Sequence, residues 1–483
     1  MCQEDGDYVD SFAPVSSATA VRTLIAIAAA EDLHLHSIDL EQAFIQGCWE
    51  YLPEDTPTVY VTPPWGWEEE PGIVWEVAKP LYGHPAAARA LHFTLHSFLE
   101  QKGFTKAGFE ESVWIRPAGG EYADDIRLTC HIDDTLIAIK SLEVMHQFVH
   151  DILLRFDGTY DGEVFQYVGC SLTRDWEKKT IRLDQCLYSR KILRYFGVED
   201  IGRTKSTPLK PGVRYLRPEL YPVKLKRNAV RLDPAQHKRY RKILGFFSYL
   251  VQLTLPDLAF GYSELSRFAA WPCIEHLEGA DHMLYYLAGT WEAGLIFGDP
   301  GPSQRHTLTA WVDSDYATCP NTRRSCTGYM LVLNNGPIAW KAKLQPCVTL
   351  SSAEAEFVAA SSCGKQILAV RSLLRYLGFE QLQPTRVYED NEACIRMSQN
   401  PVNPESAKHI DVACHKLREL HRNKVLVLSK VPTHDNIADA FTKSLPAPAF
   451  LRHRAYMVDS KVAFLKFLCF EHIRRECPRV CGA

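Results

Sequence analysis

Long apolar runs are missing from this 483-residue sequence. No stretch approaches the roughly 20 residues of a membrane-spanning helix, so no membrane partner is expected. The opening residues, MCQEDGDYVD, are acidic and lack the apolar segment of a secretory signal, so secretion is not expected either. Patterned cysteine is missing too. The 15 cysteines follow no repeated spacing, which excludes a disulfide framework and fits the reduced thiols of cytosol or nucleus. Internal repeats and low-complexity tracts are absent, which excludes solenoids and arrays. An excess of one charge is also lacking. With 54 Lys and Arg against 58 Asp and Glu, the net charge of −4 excludes a chain that coats nucleic acid by bulk charge. What remains is 46% apolar and 23% charged, ordinary for a packed chain, and long enough for about two to four domains.

The overall balance hides a local bias. From Ile201 to Lys242 there are 13 Lys or Arg against two acids, Glu219 and Asp233, with Tyr215, Tyr221 and Tyr240 interleaved. Such a stretch suits a phosphate backbone, and equally a solvated linker. Residues 1–200 alternate helical and strand-like segments. Residues 201–300 begin basic and Pro-rich, then turn helical. The turn FGDPGPSQRH reads as a linker. A strand-rich and then helical unit spans 305–446, and 447–483 form a tail.

In that last unit HTLTAWVDSDYA alternates as a strand up to Asp313, and GYMLVLNNGPIAWKAK reads as a hairpin with Asn-Gly at its turn. VTLSSAEAEF opens a long helix with Ser351 and Glu354 as a capping box and Gly378 as its C-cap. RVYED is a strand running into a helix at NEACIRM. Strands followed by helices and a returning strand predict a mixed sheet with helices packed on it.

Four acids sit where such a fold can gather them: Asp313 in the first strand, Glu356 in the first turns of the helix, Asp390 at the end of a later strand, and Asp439 opening the last helix. Hard carboxylate oxygens from separate elements suit Mg²⁺. Glu354 and Glu356 lie about 200° apart on a helix. One faces the site and the other serves the cap. The words VDSDYA, RRSCTGYMLVLNNGPIAWKAKLQPCVTLSSAEAEF, YEDNEAC, KHIDV and ADAFTKSLP occur in order. They closely resemble the ribonuclease H domain of copia-type retrotransposon polyproteins. The resemblance implies that Asp313, Glu356, Asp390 and Asp439 bind two metal ions and cut the RNA strand of an RNA–DNA hybrid.

Upstream, HSIDLEQAFIQG resembles the first catalytic motif of copia-type reverse transcriptases, and family words continue from YVTPPWGW to LYYLAGTWEAGLIF. The resemblance implies that Asp39 ligates metal and that Phe44 is the gate that rejects a ribose 2′-hydroxyl. Two Asp-Asp pairs compete for the rest of the site. A polymerase needs its aspartates at a tight turn between two apolar strands. Asp133 and Asp134 lie between IRLTCHI and TLIAI, so the turn falls on them. Asp124 and Asp125 follow the turn AGGEYA and begin a strand. Nine extended residues separate the pairs by roughly 30 Å, so one site cannot hold both. Asp133 and Asp134 are the catalytic choice, with Asp39, although YADD has the tyrosine that the motif usually carries and HIDD has His131 in its place.

The expected fold is therefore a multidomain α+β and α/β chain. It comprises a right-hand polymerase palm with partial fingers (1–200), a helical thumb or connection (201–300), and a ribonuclease H-like mixed sheet with helices (305–446). The implied function is RNA-directed DNA polymerisation with ribonuclease H activity. Two Mg²⁺ per active site are expected, with Mn²⁺ as an alternative. The implied partners are RNA template, DNA primer, RNA–DNA hybrid and deoxynucleoside triphosphates, with the oligomeric state open. The implied location is a cytoplasmic virus-like particle, the nucleus, or both. The chain starts at DYVDSFAPV, after the family's first fingers strands, and HPAAARALHF keeps Arg89 but loses an aromatic and a basic residue. These departures predict an N-terminally truncated polyprotein. They leave two alternatives open: a catalytically impaired nucleic-acid-binding remnant, or a chain whose ribonuclease H alone is active. His409 and His415 read as structural and His434 as a weak general-acid candidate. Cys469, His472, Cys477 and Cys481 do not match a common zinc spacing.

Overall fold

The computed structural model describes residues 12–52, 58–67, 72–108, 110–199, 202–222, 228–399 and 411–458. The start DYVD, His409 and the four Cys/His of the tail lie outside these. Among the described residues no helix is long and apolar enough to cross a membrane. The chain divides into two compact units. One comprises 1–168 with 372–380, the other 169–371 with 381–483.

The first unit is built on a six-stranded sheet. In chain order its strands are β1 (His34–Leu40), β2 (Thr105–Ala107), β3 (Glu110–Arg116), β4 (Ile126–His131), β5 (Asp134–Ile139) and β6 (Gly158–Glu163). They lie side by side as β2-β3-β4-β5-β1-β6, all antiparallel. Helix α1 (Ala18–Glu31) is Ala-rich with ten buried residues, and it packs on β1, β4 and β5. Ser17 starts it, its hydroxyl accepting from Ala20 N at 3.1 Å. Helices α2 (Ala87–Gln101) and α3 (Leu142–Arg155) supply Leu91, Leu95, Phe98, Val144, Phe148 and Ile152 to a core shared with Ile38, Leu128 and Ile137 of the sheet. That core fixes the strand faces, because a one-residue slip would turn every apolar side chain to the wrong side.

In the second unit β7 (Cys170–Asp175), β8 (Thr180–Asp184) and β9 (Gly294–Gly298) pair antiparallel. Helices α4 (Pro234–Leu253) and α5 (Ile274–Ala288) pack on each other. Asp233 caps α4 through a reciprocal box with Gln236, with Pro234 at the first helical position. Part of the basic stretch is already engaged. Arg239 pairs with Asp281 at 2.6 Å, and Arg214 pairs with Asp315.

A five-stranded mixed sheet follows: β10 (Thr309–Asp315), β11 (Cys326–Leu333), β12 (Gly336–Leu344), β13 (Thr385–Glu389) and β14 (Leu426–Lys430), ordered β12-β11-β10-β13-β14. The first three are antiparallel neighbours, whereas β10, β13 and β14 run parallel. Helix α6 (Ser352–Tyr376) is the long helix expected from the sequence, and Gly378 follows it with φ +91°. Phe379 N donates to Leu374 O at 2.7 Å, the closing bond of a Schellman-type end. Helices α7 (Glu392–Gln399), α8 (Asp411–Arg422) and α9 (Ala447–Arg454) complete the unit.

Three local expectations are corrected. The hairpin turn holds Asn334 and Asn335, with φ +47° and +65°, and not Asn335–Gly336. A two-residue primed turn needs positive φ at both positions, which Asn tolerates. Gly336 serves a different need, since a Cβ there would lie 2.2 Å from the Phe297 ring. Strand β10 continues past Asp313 to Asp315. Asp439 does not open the last helix. It sits inside a short 3₁₀ turn, Ile437–Phe441, before α9 begins.

Candidate functional site: two carboxylate centres

The first centre forms at one end of the six-stranded sheet. His131 pairs with Asp134 across β4 and β5, so the connecting loop is Ile132–Asp133. Ile132 has φ +62°, a left-handed conformation in which a β-branched residue is strained. Asp134 is the direct partner of Asp39 in the β1–β5 register. Directly opposed residues share a sheet face, and like charges there repel. Partial burial, then Asp133 and Asp39, raise the Asp134 carboxyl above its ordinary value. Among the described residues no Lys or Arg forms an ion pair with Asp39, Asp133 or Asp134. Asp39 and Asp134 are thus adjacent without a protein cation, whereas among the described residues only Asp313, Glu356 and Asp390 bring three possible ligand atoms within 4.8 Å of one another. Phe44 is half-buried, packs on the edge of the core and lies against Tyr82 with ring centroids 4.9 Å apart.

The strain at Ile132 gives a stability prediction. Replacing it by glycine removes the left-handed penalty, worth about 1 kcal/mol. Ile132→Gly is expected to slow hydrogen exchange in β4 and β5. Faster exchange there would show that the turn is not strained.

Asp124 and Asp125 are occupied elsewhere. Asp124 accepts from Ser141 N at 2.9 Å, at the start of α3. Asp125 accepts from Ala118 N at 2.7 Å and pairs with Arg127 at 2.9 Å. Tyr122 of the same YADD word is fully buried and donates to Asp151, which also holds Lys102 at 3.0 Å. The word is thus a folding element at the start of β4, at the opposite end of that strand from His131.

The second centre lies on the mixed sheet. Asp313 of β10, Glu356 of α6 and Asp390 after β13 offer oxygens all within 4.8 Å of one another. Glu354 does not join them. It accepts from Leu350 N at 2.7 Å while its own N–H donates to Ser351 Oγ at 3.2 Å, so it serves the helix start. Asp439, the fourth expected member, lies outside that close group and is linked to it through Lys443, whose Nζ lies 2.9 Å from Asp439 and 3.9 Å from Asp313. Thr442 Oγ1 also donates to Asp313.

Sequence reasoning missed Glu389, Thr442 and Lys443. Glu389 is fully buried; its Oε1 accepts from Asn391 N at 2.9 Å, whereas its Oε2 has no hydrogen-bond partner. Glu356 Oε2 is likewise buried without one. Two orphaned buried carboxylate oxygens beside two aspartates fit a hard divalent cation. His434 is largely exposed and lies 3.4 Å from Asp435, and His415 is exposed on α8.

Charge crowding sets a pH dependence. Burial, then Asp313, push the Asp439 carboxyl up to about 7, against the opposing pull of Lys443 and with a further push from Asp390. Asp313, Glu356 and Glu389 are raised in the same direction, mainly by burial. A raised folded-state value means that the folded protein binds more protons than the unfolded one. Stability is then present below the ordinary carboxylate value and lost as pH rises through about 7. The chelator-treated protein should therefore melt at lower temperature at pH 7.5 than at pH 5. The stabilisation by added Mg²⁺ should grow over the same range. A metal-induced shift that stays constant with pH would contradict the crowding.

The family model described as reverse transcriptase (RNA-dependent DNA polymerase) matches residues 2–211. The chain is similar to the Retrovirus-related Pol polyprotein from transposon TNT 1-94 of Nicotiana tabacum, at 30% identity over 92% of this chain and 32% of that protein. It is also similar to the Pol polyprotein from transposon RE1 of Arabidopsis thaliana, at 28% identity over 92% of this chain and 29% of that one. It thus spans about a third of the length of these relatives. Among solved structures, LC11-RNase H1 is similar over 28% of this chain at 15% identity, with a TM-score of 0.23. Residues 2–211 thus match the reverse transcriptase family, and the chain as a whole is similar to retrotransposon Pol polyproteins.

Proposed function

We propose that this chain copies RNA into DNA at the first centre and degrades the RNA of the resulting hybrid at the second. The observation that carries this reading is the presence of two separate carboxylate groupings, one in each compact unit, each assembled from distant stretches of chain. In this reading the first unit is a palm with partial fingers, the helices α4 and α5 belong to a thumb or connection, and the mixed sheet is the ribonuclease H part. Its partners are RNA template, DNA primer, RNA–DNA hybrid and deoxynucleoside triphosphates. It works in a cytoplasmic virus-like particle, the nucleus, or both.

At the first centre Asp39, Asp133 and Asp134 would hold two divalent ions, Mg²⁺ or Mn²⁺. At the second, Asp313, Glu356, Asp390 and Asp439 would hold another two. Such ions make a hydroxyl or water more acidic and stabilise the leaving oxygen. The cross-strand register keeps Asp39 and Asp134 on one face, so a primer 3′-hydroxyl and a triphosphate converge there. Phe44, braced by Tyr82, sets the wall against which the nucleotide sugar rests. At the second centre the ions held by the acids would bind the scissile phosphate, and the partly exposed Lys443 would face its negative charge.

The reading is tested by primer extension on an RNA template and by cleavage of a labelled hybrid, each with and without chelator. Both activities are expected, and both should vanish with chelator and return with Mg²⁺. Activity that survives chelation would remove the metal from the account. Phe44→Val is expected to raise ribonucleotide incorporation relative to deoxyribonucleotide by about tenfold or more, because a steric block is withdrawn. Unchanged sugar discrimination would take Phe44 out of the gate.

A further inference from the structure

The second centre gathers more negative charge than its four expected ligands carry. Asp313, Glu356, Glu389, Asp390 and Asp439 act on one another electrostatically, and all but Asp390 are buried. Among the described residues Lys443 alone forms an ion pair with any of the five. Its position is built rather than incidental. Lys443 N and Thr442 N each donate to Asp439 O at 3.2 Å, wrapping the chain into a tight turn. The Thr442 hydroxyl then pins the turn to Asp313 and to Asp439 O. The ammonium group is held between Asp439 and Asp313, and Asp313 also belongs with Glu356 and Asp390 to the three-acid cluster.

Two-ion phosphodiester sites place their cations about 4 Å apart with one carboxylate shared. Here Asp313 is the shared acid: it belongs to the three-acid cluster and also faces Lys443. We propose that Lys443 is a built-in cation that takes the place of the second divalent ion in the nucleic-acid-free protein. The free protein then holds one ion, on Asp313, Glu356 and Asp390. The second enters only when a substrate phosphate adds negative charge and draws the ammonium group away. This rests on the divalent-metal reading of the cluster and deepens it, making Lys443 a positioning residue whose charge governs metal loading.

The test is isothermal titration calorimetry of MnCl₂ into the intact chain without nucleic acid, carrying Asp39→Asn and Asp133→Asn to silence the first centre. With Lys443 in place one Mn²⁺ should bind. Lys443→Met should bind two, and Lys443→Arg, which keeps the charge, should bind one. Two ions with Lys443 present, or one ion in Lys443→Met, would overturn the inference while leaving the metal reading intact. No binding in any version would overturn both. Should Lys443→Met fail to fold, Lys443→Gln replaces it, and the count for the Lys443 protein remains decisive by itself.

Discussion

Asp133→Asn is expected to abolish primer extension, by on the order of 10³-fold or more, equivalent to about 4 kcal/mol of transition-state stabilisation. Asp124→Asn is expected to leave the chemical step intact and to act through folding alone. The difference follows from geometry. Asp133 stands in the two-residue loop between β4 and β5, beside the Asp39–Asp134 rung. Asp124 spends its carboxylate on Ser141 N, at the start of α3. Asp124 also accepts from Asp125 N, and asparagine has one acceptor oxygen for these two bonds, so one is lost at about 1 kcal/mol of stability, visible as a lower melting temperature with unchanged turnover per folded molecule. The opposite pattern, extension lost in Asp124→Asn and kept in Asp133→Asn, would mean that the YADD word is the active one.

Hybrid cleavage should respond to a different set of residues. Asp390→Asn is expected to reduce it by on the order of 10²–10³-fold while extension by the same preparation stays near that of the parent chain. Asp390 is the least buried member of the three-acid cluster, so this variant removes a charge without opening a hole in the core. Glu354→Ala provides the contrast. Glu354 lies two residues from Glu356, yet it accepts from Leu350 N, so its loss should weaken the helix start by about 1 kcal/mol and leave cleavage per folded molecule unchanged. Cleavage that survives Asp390→Asn would break up the second centre.

Much of this was legible in the sequence because it depends on short-range geometry. The separation of Glu354 from Glu356 follows from helical rotation, and the structure gives the first to the cap and the second to the cluster. The choice between HIDD and YADD followed from which pair lies between two apolar strands, and the register places the loop at Ile132–Asp133. The rest depended on tertiary context. Glu389 ends β13 and Asp390 follows it outside the strand. Nothing local shows that the glutamate is buried and acts on the same cluster. Lys443 reaches Asp439 and Asp313 because residues 437–441 form a 3₁₀ turn where the letters suggested the opening of a longer helix. Asn335–Gly336 has the commonest hairpin signature, yet the close approach of Phe297 requires the glycine in the strand and moves the turn back by one residue.

The central claim is that two metal centres exist, one in each compact unit. Metal-localised oxidative cleavage tests it most directly: the intact chain is loaded with Fe²⁺, treated with ascorbate and peroxide, and its fragments are mapped. The account predicts two groups of cuts, one around Asp39 and Ile132–Asp134, the other around Asp313, Glu356 and Asp390. Cuts centred on Asp124–Asp125, or a single group confined to one unit, would contradict it.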